Sequence, residues 1–264
     1  MTSEASASSR TSKTGERRAR RVYKNPPIHE AVCEFQFSDP EIWSLAHSGL
    51  FLERVKKRYS GKPSEQRVFR IATPAGAPQP NAPQSLAEFT KVQLRSEDGH
   101  ELVAVGPGVL SAHSLRPYSG WEKFRSQIAE AFKEYRAVAS PKGVRRIGIR
   151  YINHILVPRD SGLPNDFLTT PPHGIPGIES AIEAFALRHE YSIEKLGKEI
   201  VQFASIDSPP DTYGVALDID VSRTWQGDGC KLQDAFSYVD ELRQQERQIF
   251  EALITDKARE LFDA

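Results

Sequence analysis

The feature that most constrains this fold is the strand-like stretch at residues 144–157, VRRIGIRYINHILV. Successive side chains of a strand point to opposite faces of its sheet. One face therefore collects Ile147, Ile149, Tyr151, Ile155 and Val157, interrupted only by Asn153, and the other carries Arg146, Arg150 and His154. The pattern predicts a strand with one side in the core and a cationic other side.

Residues 28–37, IHEAVCEFQF, show the same alternation with the opposite charge. The apolar set is Ala31, Cys33, Phe35 and Phe37, and the polar set is Glu30, Glu34 and Gln36. If the two strands lie side by side, Glu30 and Glu34 approach Arg146 and Arg150 across the sheet. Opposite charges that pair directly between strands contribute roughly 0.2–1 kcal/mol, so one hypothesis is a structural ladder of ion pairs.

The second hypothesis for these residues is a polar groove that binds an anionic group. Guanidinium groups suit phosphate or carboxylate, so Arg146 and Arg150 hold the anion in this interpretation. The side chains that orient it are Glu30, Glu34, Asn153 and His154. The sequence leaves the choice between ladder and groove open.

The elements after each of these strands recur in one order: a helical or turn-rich segment, an antiparallel meander and an amphipathic helix. This order predicts an α+β fold of two tandem β-α-β(3–4)-α units, with four meander strands in the first and three in the second, antiparallel sheets and long packing helices. Residues 1–24 form a basic leader, residues 25–140 the first unit and residues 141–264 the second, with the two units packed as one globular body. The topology resembles the duplicated arrangement of TATA-binding-protein-like and helix-grip folds.

Three long helices are predicted from apolar residues at helical spacing. The first runs from Asp39-Pro40 to about Tyr59, with Ile42, Leu45, Ala46, Leu50, Leu52 and Val55 facing inwards. The second begins at a capping box of Ser119 and Glu122 and presents Trp121, Phe124, Ile128, Phe132 and Tyr135 to the core. The third runs unbroken over residues 232–262.

Composition narrows the class of protein. With 39% hydrophobic and 27% charged residues, the chain matches ordinary globular proteins. Because no apolar run approaches the roughly 18 residues of a membrane span and no secretory signal is visible, we expect a cytoplasmic protein with no membrane partner. The two cysteines make neither a disulfide framework nor a metal cluster, and Cys33 is expected to be a small buried hydrophobe.

Basic residues offer an alternative function in nucleic-acid binding. The leader carries seven Lys or Arg residues against two Glu, has few large apolar residues and is expected to be disordered. The candidates for contact with phosphates are Arg17, Arg18, Arg20 and Arg21 in the leader and Lys56, Lys57 and Arg58 at the end of the first helix. The last three also complement the helix dipole, which explains them without a ligand.

Catalytic motifs are not recognisable in the sequence. The seven histidines are scattered, and His154 is the one selected for testing. Asp218 and Asp220 have the spacing to share a divalent cation if further oxygen ligands converge. The sequence supplies no recognisable further ligands, so a solvated face is the favoured interpretation. No cofactor is predicted.

Four motifs resemble a sporadically distributed family of uncharacterised bacterial and archaeal proteins of similar length. They are Asn25-Pro-Pro-Ile-x-Glu30, the central Arg146-Ile-Gly-Ile-Arg150-Tyr-Ile-Asn153, Leu217-Asp-Ile-Asp220 and a terminal Ala258-x-x-Leu-Phe262. The resemblance implies no activity, although sporadic occurrence is typical of mobile or defence-associated genes, including toxin and antitoxin pairs.

The leading functional expectation is therefore a binding or regulatory protein, an accessory or antitoxin-like subunit whose partner is another protein. Nucleic-acid binding through the basic residues is the alternative. A metal-dependent phosphodiesterase or nuclease using Asp218 and Asp220 comes third.

Overall fold

The protein is an α+β structure built on a single antiparallel sheet, as seen in a computed structural model that describes residues 21–39, 43–72, 85–170, 177, 182–193 and 197–264. Its nine strands are β1 (Ile28–Phe37), β2 (Ser64–Ala72), β3 (Ser85–Arg95), β4 (Glu101–Gly106), β5 (Val109–Leu115), β6 (Val144–Pro158), β7 (Ala186–Ile193), β8 (Gly197–Ile206) and β9 (Thr212–Thr224). They are arranged in the order β2-β3-β4-β5-β1-β6-β9-β8-β7.

The two alternating strands predicted from the sequence, β1 and β6, pair with each other in the interior of the sheet. Their register places Cys33 beside Ile149 and Phe35 beside Ile147, and all four residues are 0% exposed. The predicted apolar faces are confirmed, and so is the burial of Cys33. Outward from this pair the order is the same on both sides, with the last strand of each meander next to the leading strand.

The described helices are α1 (Leu45–Val55), α2 (Trp121–Ala139), the short α3 (Pro164–Phe167), α4 (Ala235–Leu253) and α5 (Asp256–Asp263). Helices α2 and α4 cover the apolar face of the central strands. The ring of Phe35 lies 4.7 Å from that of Phe132 on α2 and 6.3 Å from that of Phe236 on α4. The predicted aromatic stripe of α2 is confirmed as core, with Phe124, Ile128, Phe132 and Tyr135 all buried. No described helix is long and apolar enough to cross a membrane.

The C-terminal helix is broken, contrary to the prediction of one helix over residues 232–262. Ile254 is extended and forms an isolated bridge with Leu168, and Thr255 then caps a new helix. The hydroxyl of Thr255 accepts from the Ala258 amide and donates to the carbonyl oxygen of Asp166 at 2.8 Å. Apolar periodicity alone did not reveal this break, because both helices keep their apolar residues towards the core.

Two further local predictions were wrong. On α1, Val55 is buried and Leu52 packs against the core as predicted, but Phe51 is 0% exposed whereas Leu50 is 57% exposed, so Phe51 takes the inward place predicted for Leu50. Helix α2 begins after Gly120, whose φ of 97° places it in a region favourable to glycine, and the predicted Ser119–Glu122 capping box does not form. Ile42 lies outside the described residues.

The chain is anchored before the first strand. Tyr23, within the predicted leader, is 5% exposed, and its hydroxyl donates to Glu251 at 2.9 Å. Arg21 pairs with Asp263 at the opposite terminus. The predicted disorder of the leader concerns residues up to 20, which lie outside the described part of the chain.

The orientation of α1 can be tested with two neighbouring residues. Replacing Phe51 with alanine is expected to lower the free energy of unfolding by about 3–5 kcal/mol, because removal of a buried ring leaves a cavity. Leu50→Ala is the matched control, with an expected change below about 0.5 kcal/mol. Urea denaturation measures both, and equal losses would contradict the observed orientation.

Candidate functional site

The sheet surface opposite the helices carries the charged residues that the sequence singled out. We call it the polar face and define it by Glu30, Glu34, Lys91, Arg146, Arg150, Asp218 and Asp220. These side chains come from β1, β3, β6 and β9. The 3.0 Å contact between Lys91 and Glu34 spans the two intervening strands β4 and β5, so the sheet curls towards this face.

The strongest ion pair of the polar face joins β6 to β9. Arg150 donates through Nε to Asp218 Oδ1 at 2.8 Å and through Nη2 to Asp218 Oδ2 at 2.6 Å. Gln202 on β8 also donates to Asp218, at 3.1 Å. The Asp218 side chain is only 13% exposed, so a bidentate guanidinium is a fitting partner for its charge.

Arg146 lies between two carboxylates. Its guanidinium is 3.4 Å from Glu34 and 3.5 Å from Asp220. Burial opposes ionisation of Glu34, but Lys91, Gln36 and Arg146 together hold its pKa below the ordinary value. For Asp220, burial outweighs the attraction of the arginines and raises the pKa.

The charged residues thus form a network that differs from the predicted ladder. Only Arg146 and Glu34 meet across β1 and β6, while Arg150 turns to β9 and Glu30 pairs with His113 on β5 at 2.7 Å. The polar face has three cationic side chains against four carboxylates when His113 is neutral. Its positive charge is matched within the fold, so an incoming anion would have to displace an existing partner.

The six residues predicted to bind a ligand do not share one place. Asn153 is 1% exposed on the helix-covered side and donates to the carbonyl oxygen of Leu217 at 3.1 Å, so it cannot act beside Arg150. Asn153 alternates in step with Tyr151 and Ile155, so its side chain lies on the same, helix-covered face of the strand. His154 lies on β6 just past the residues that pair with β1, and its ring stacks on that of His29 with 4.0 Å between centroids.

The two aspartates of β9 have existing partners. A cation bound by Asp218 and Asp220 would compete with Arg150 and Arg146. Within the described residues, no group of three or more His, Cys, Asp or Glu side chains has the arrangement to hold a metal ion.

The residues predicted to contact nucleic acid are largely paired. Lys56 contacts Glu53 at 2.6 Å, and Arg58 contacts both Glu101 at 2.6 Å and Glu130 at 2.5 Å. Lys57 is exposed and has no ion pair among the residues described. Arg21 pairs with Asp263, whereas Arg17, Arg18 and Arg20 lie outside the described chain. The surface near the end of α1 is therefore less cationic than the sequence suggested.

Sequence reasoning missed a histidine-rich cavity of about 650 Å³ that we call the polar cavity. Its lining includes His29, Glu30, Arg95, Asp98, His100, His113 and Arg116. His113 contacts Glu30 through Nδ1 at 2.7 Å and the Ser111 hydroxyl through Nε2 at 2.9 Å. Because both ring nitrogens are occupied and Ser111 is 2% exposed, this chain of hydrogen bonds orients the histidine and offers no accessible nucleophile.

A second cavity of about 370 Å³ lies beside it, and we call it the cationic cavity. Its lining is Lys24, Asn25, Pro26, Pro27, Ile28, Arg116, Pro117, Tyr118, His154, Leu156, Leu261 and Phe262. No carboxylate side chain occurs in this set. The guanidinium of Arg116 has no ion pair or hydrogen bond within the described part of the chain.

Local backbone geometry brings together the residues at the cationic cavity. A register shift between Ile28 and Glu30 makes His29 an extra residue in β1, and such bulges redirect side chains. The shift lets His29 stack on His154. Burial, together with the nearby His29 and Arg116, lowers the pKa of His154. A bulge has no clear sequence signal, which is why the convergence of these residues was not predicted.

Buried charges lie behind the wall of this cavity. Tyr118 shares a 2.9 Å hydrogen bond with Tyr151, and the Arg243 guanidinium lies 4.3 Å from the centroid of the Tyr151 ring. Arg247 has two buried nitrogen atoms, Nε and Nη2, without a hydrogen-bond acceptor, although it lies 3.3 Å from Glu251. Both arginines are paired with buried carboxylates, Arg243 with Glu246 and Arg247 with Glu251.

Comparison with known proteins adds no assignment: no protein-family model matches the chain, and no curated protein matches it. Any functional conclusion must therefore rest on the geometry described above.

The structural role of the polar face can be tested at its strongest pair. Arg150→Met is expected to lower the free energy of unfolding by about 1 kcal/mol, because Asp218 loses its bidentate partner. In a double-mutant cycle with Asp218→Asn, a coupling of about 0.5–1 kcal/mol is expected from urea denaturation. Lys57→Met, at an exposed and unpaired lysine, is the control. A coupling near zero would show that the pair is not structural.

Proposed function

We propose that this protein is a binding subunit, accessory or antitoxin-like, that acts through contacts with another protein. Its binding site is the cationic cavity, which receives an acidic and partly apolar segment of the partner. The observation that carries the proposal is the lining of this cavity: it includes Arg116 and Lys24 but no carboxylate side chain, whereas the arginines of the polar face are already paired.

The chemistry of the cavity suits such a segment. A guanidinium presents a planar fork that matches a carboxylate, and Arg116 is exposed and available for this contact. Leu156, Leu261 and Phe262 supply an apolar wall for the adjoining side chain. A volume of about 370 Å³ lies at the lower end of the range for binding pockets, so the cavity takes one or two side chains of the partner.

Catalysis is a less favourable interpretation of the same surface. A general base needs a nitrogen or oxygen atom free to reach its substrate, and both ring nitrogens of His113 have partners within the fold. A metal-dependent phosphodiesterase or nuclease, the third functional candidate, requires Asp218 and Asp220 to give up Arg150 and Arg146. Loss of a metal-dependent activity in Asp218→Ala and Asp220→Ala would support it.

Nucleic-acid binding remains the second candidate because Lys57 and Arg116 form no ion pair with the residues that the structure describes. Binding through phosphate contacts weakens steeply as salt rises. A complex that tolerates salt therefore favours a protein partner, and one that dissociates with a steep salt dependence favours nucleic acid.

The duplicated architecture is also part of this proposal. The strand order outward from β1 and β6 supports two related units, divided between residues 140 and 141, in an arrangement like TATA-binding-protein-like or helix-grip folds. Such folds host many functions. The functional proposal therefore depends on the cavity alone, and the association with defence or toxin and antitoxin systems remains a proposal.

The decisive residue is Arg116. Affinity purification of tagged protein from its native host, with mass spectrometry and absorbance at 260 and 280 nm read on the same eluate, is expected to yield a stoichiometric protein partner. Arg116→Gln should reduce the captured partner about tenfold, because a charged hydrogen bond contributes roughly 1.5–3 kcal/mol. Arg95→Gln is the matched control and should retain the partner.

Thermal unfolding of both variants checks that neither loses its fold. Capture of the partner by Arg116→Gln at the wild-type level would contradict the proposed site. Nuclease-sensitive nucleic acid in the eluate, without a protein partner, would contradict the proposed function and favour the second candidate.

A further inference from the structure

Strand β7 ends the sheet and is exposed on both of its faces. Six of its eight residues are exposed, and Leu187 and Ile193 are half-buried. One edge of β7 pairs with β8, and no described strand pairs with the other. Natural proteins usually protect such an edge, because its free N–H and C=O groups readily pair with another chain.

The hydrogen-bond pattern shows which residues of β7 face outwards. The carbonyl oxygen of Phe185 accepts from the Ser205 amide at 3.0 Å, so the backbone hydrogen-bonding groups of Phe185 face β8. The register continues without a shift from Ala186 beside Ala204 to Ile193 beside Gly197. Since successive residues in an antiparallel ladder alternate between inward and outward bonding, Ala186, Arg188, Glu190 and Ser192 present their backbone groups at the free edge.

A second copy of the chain complements this edge in one register. In a twofold antiparallel pair the outward-bonding residues must face each other, so the axis passes through a residue and not between two residues. An axis at residue 188 places Arg188 opposite Arg188, and an axis at residue 190 places Glu190 opposite Glu190. Only the axis at His189 sets Arg188 of each copy opposite Glu190 of the other.

The same register also brings apolar side chains together on the other face of the strand. It places Leu187 of one copy opposite Tyr191 of the other, and Tyr191 is 48% exposed in the single chain. Within one chain Glu190 already contacts Arg188 at 2.5 Å and also pairs with Lys198 on β8, and the three side chains are 40–48% exposed. Exposed pairs of this kind contribute little, so exchanging them for contacts between copies costs little.

We propose that two copies of this protein associate through β7, antiparallel and centred on His189, into a dimer with one continuous sheet. The interface is isologous, as closed twofold dimers require. Because the contact is confined to one strand and its neighbours, the dimer belongs to the weaker, concentration-dependent class of interfaces. This inference is independent of the cationic cavity.

Sedimentation equilibrium on the full chain tests the proposal with two charge reversals. Arg188→Glu places Glu opposite Glu190, and Glu190→Arg places Arg opposite Arg188. Each variant alone is expected to dimerise at least about tenfold more weakly than the wild type, because two favourable cross-strand pairs become repulsive. Mixing the two variants should restore dimers, since every Glu then faces an Arg.

The mixing step separates the proposal from a failure to fold, because misfolded chains would not recover on mixing. Lys57→Glu, a reversal at an exposed lysine far from β7 in the sequence, is the control and should dimerise like the wild type. A wild-type chain that stays monomeric throughout the micromolar range would overturn the proposal. So would single variants that dimerise normally, or a mixture that does not.

Discussion

The antiparallel pairing of β1 with β6 is the constraint on which the rest of the structure depends. It joins the two halves of the chain, and its register gives the sheet one largely apolar side, with Cys33, Phe35, Ile147 and Ile149 excluded from water. Helices α2 and α4 cover that side. No helix covers the other side in the described structure, so apolar side chains there would be exposed to water. That side carries paired charged residues instead.

Matched charges explain why the most conspicuous residues in the sequence are poor candidates for a ligand site. Arg150 and Asp218 satisfy each other bidentately, and Arg146 lies between Glu34 and Asp220. Arg116, just after β5 and beside the stacked histidines, has no ion pair with the described residues. Binding capacity therefore concentrates at the end of the sheet, while the middle of the polar face stabilises the fold.

The sequence predicted those features that depend on local periodicity. Strand alternation located β1 and β6 and their faces, and helical spacing located the core side of α2. Features that depend on one residue's backbone were missed: the break at Ile254, the start of α2 after Gly120 and the bulge at His29. The ion-pair partners of the charged residues were equally inaccessible to sequence reasoning, because whether Glu30 contacts an arginine or His113 depends on strands distant in sequence.

Native-state hydrogen exchange of individual amides tests the central claim most directly. If the β1–β6 pair holds the halves together, its interior amides, such as those of Cys33 and Ile149, should exchange only through global unfolding. The inward-bonding amides of β7 should exchange through smaller, local openings. Exchange of the β1 and β6 amides through a local opening, while β8 and β9 stay protected, would contradict the account by showing that the halves separate without unfolding.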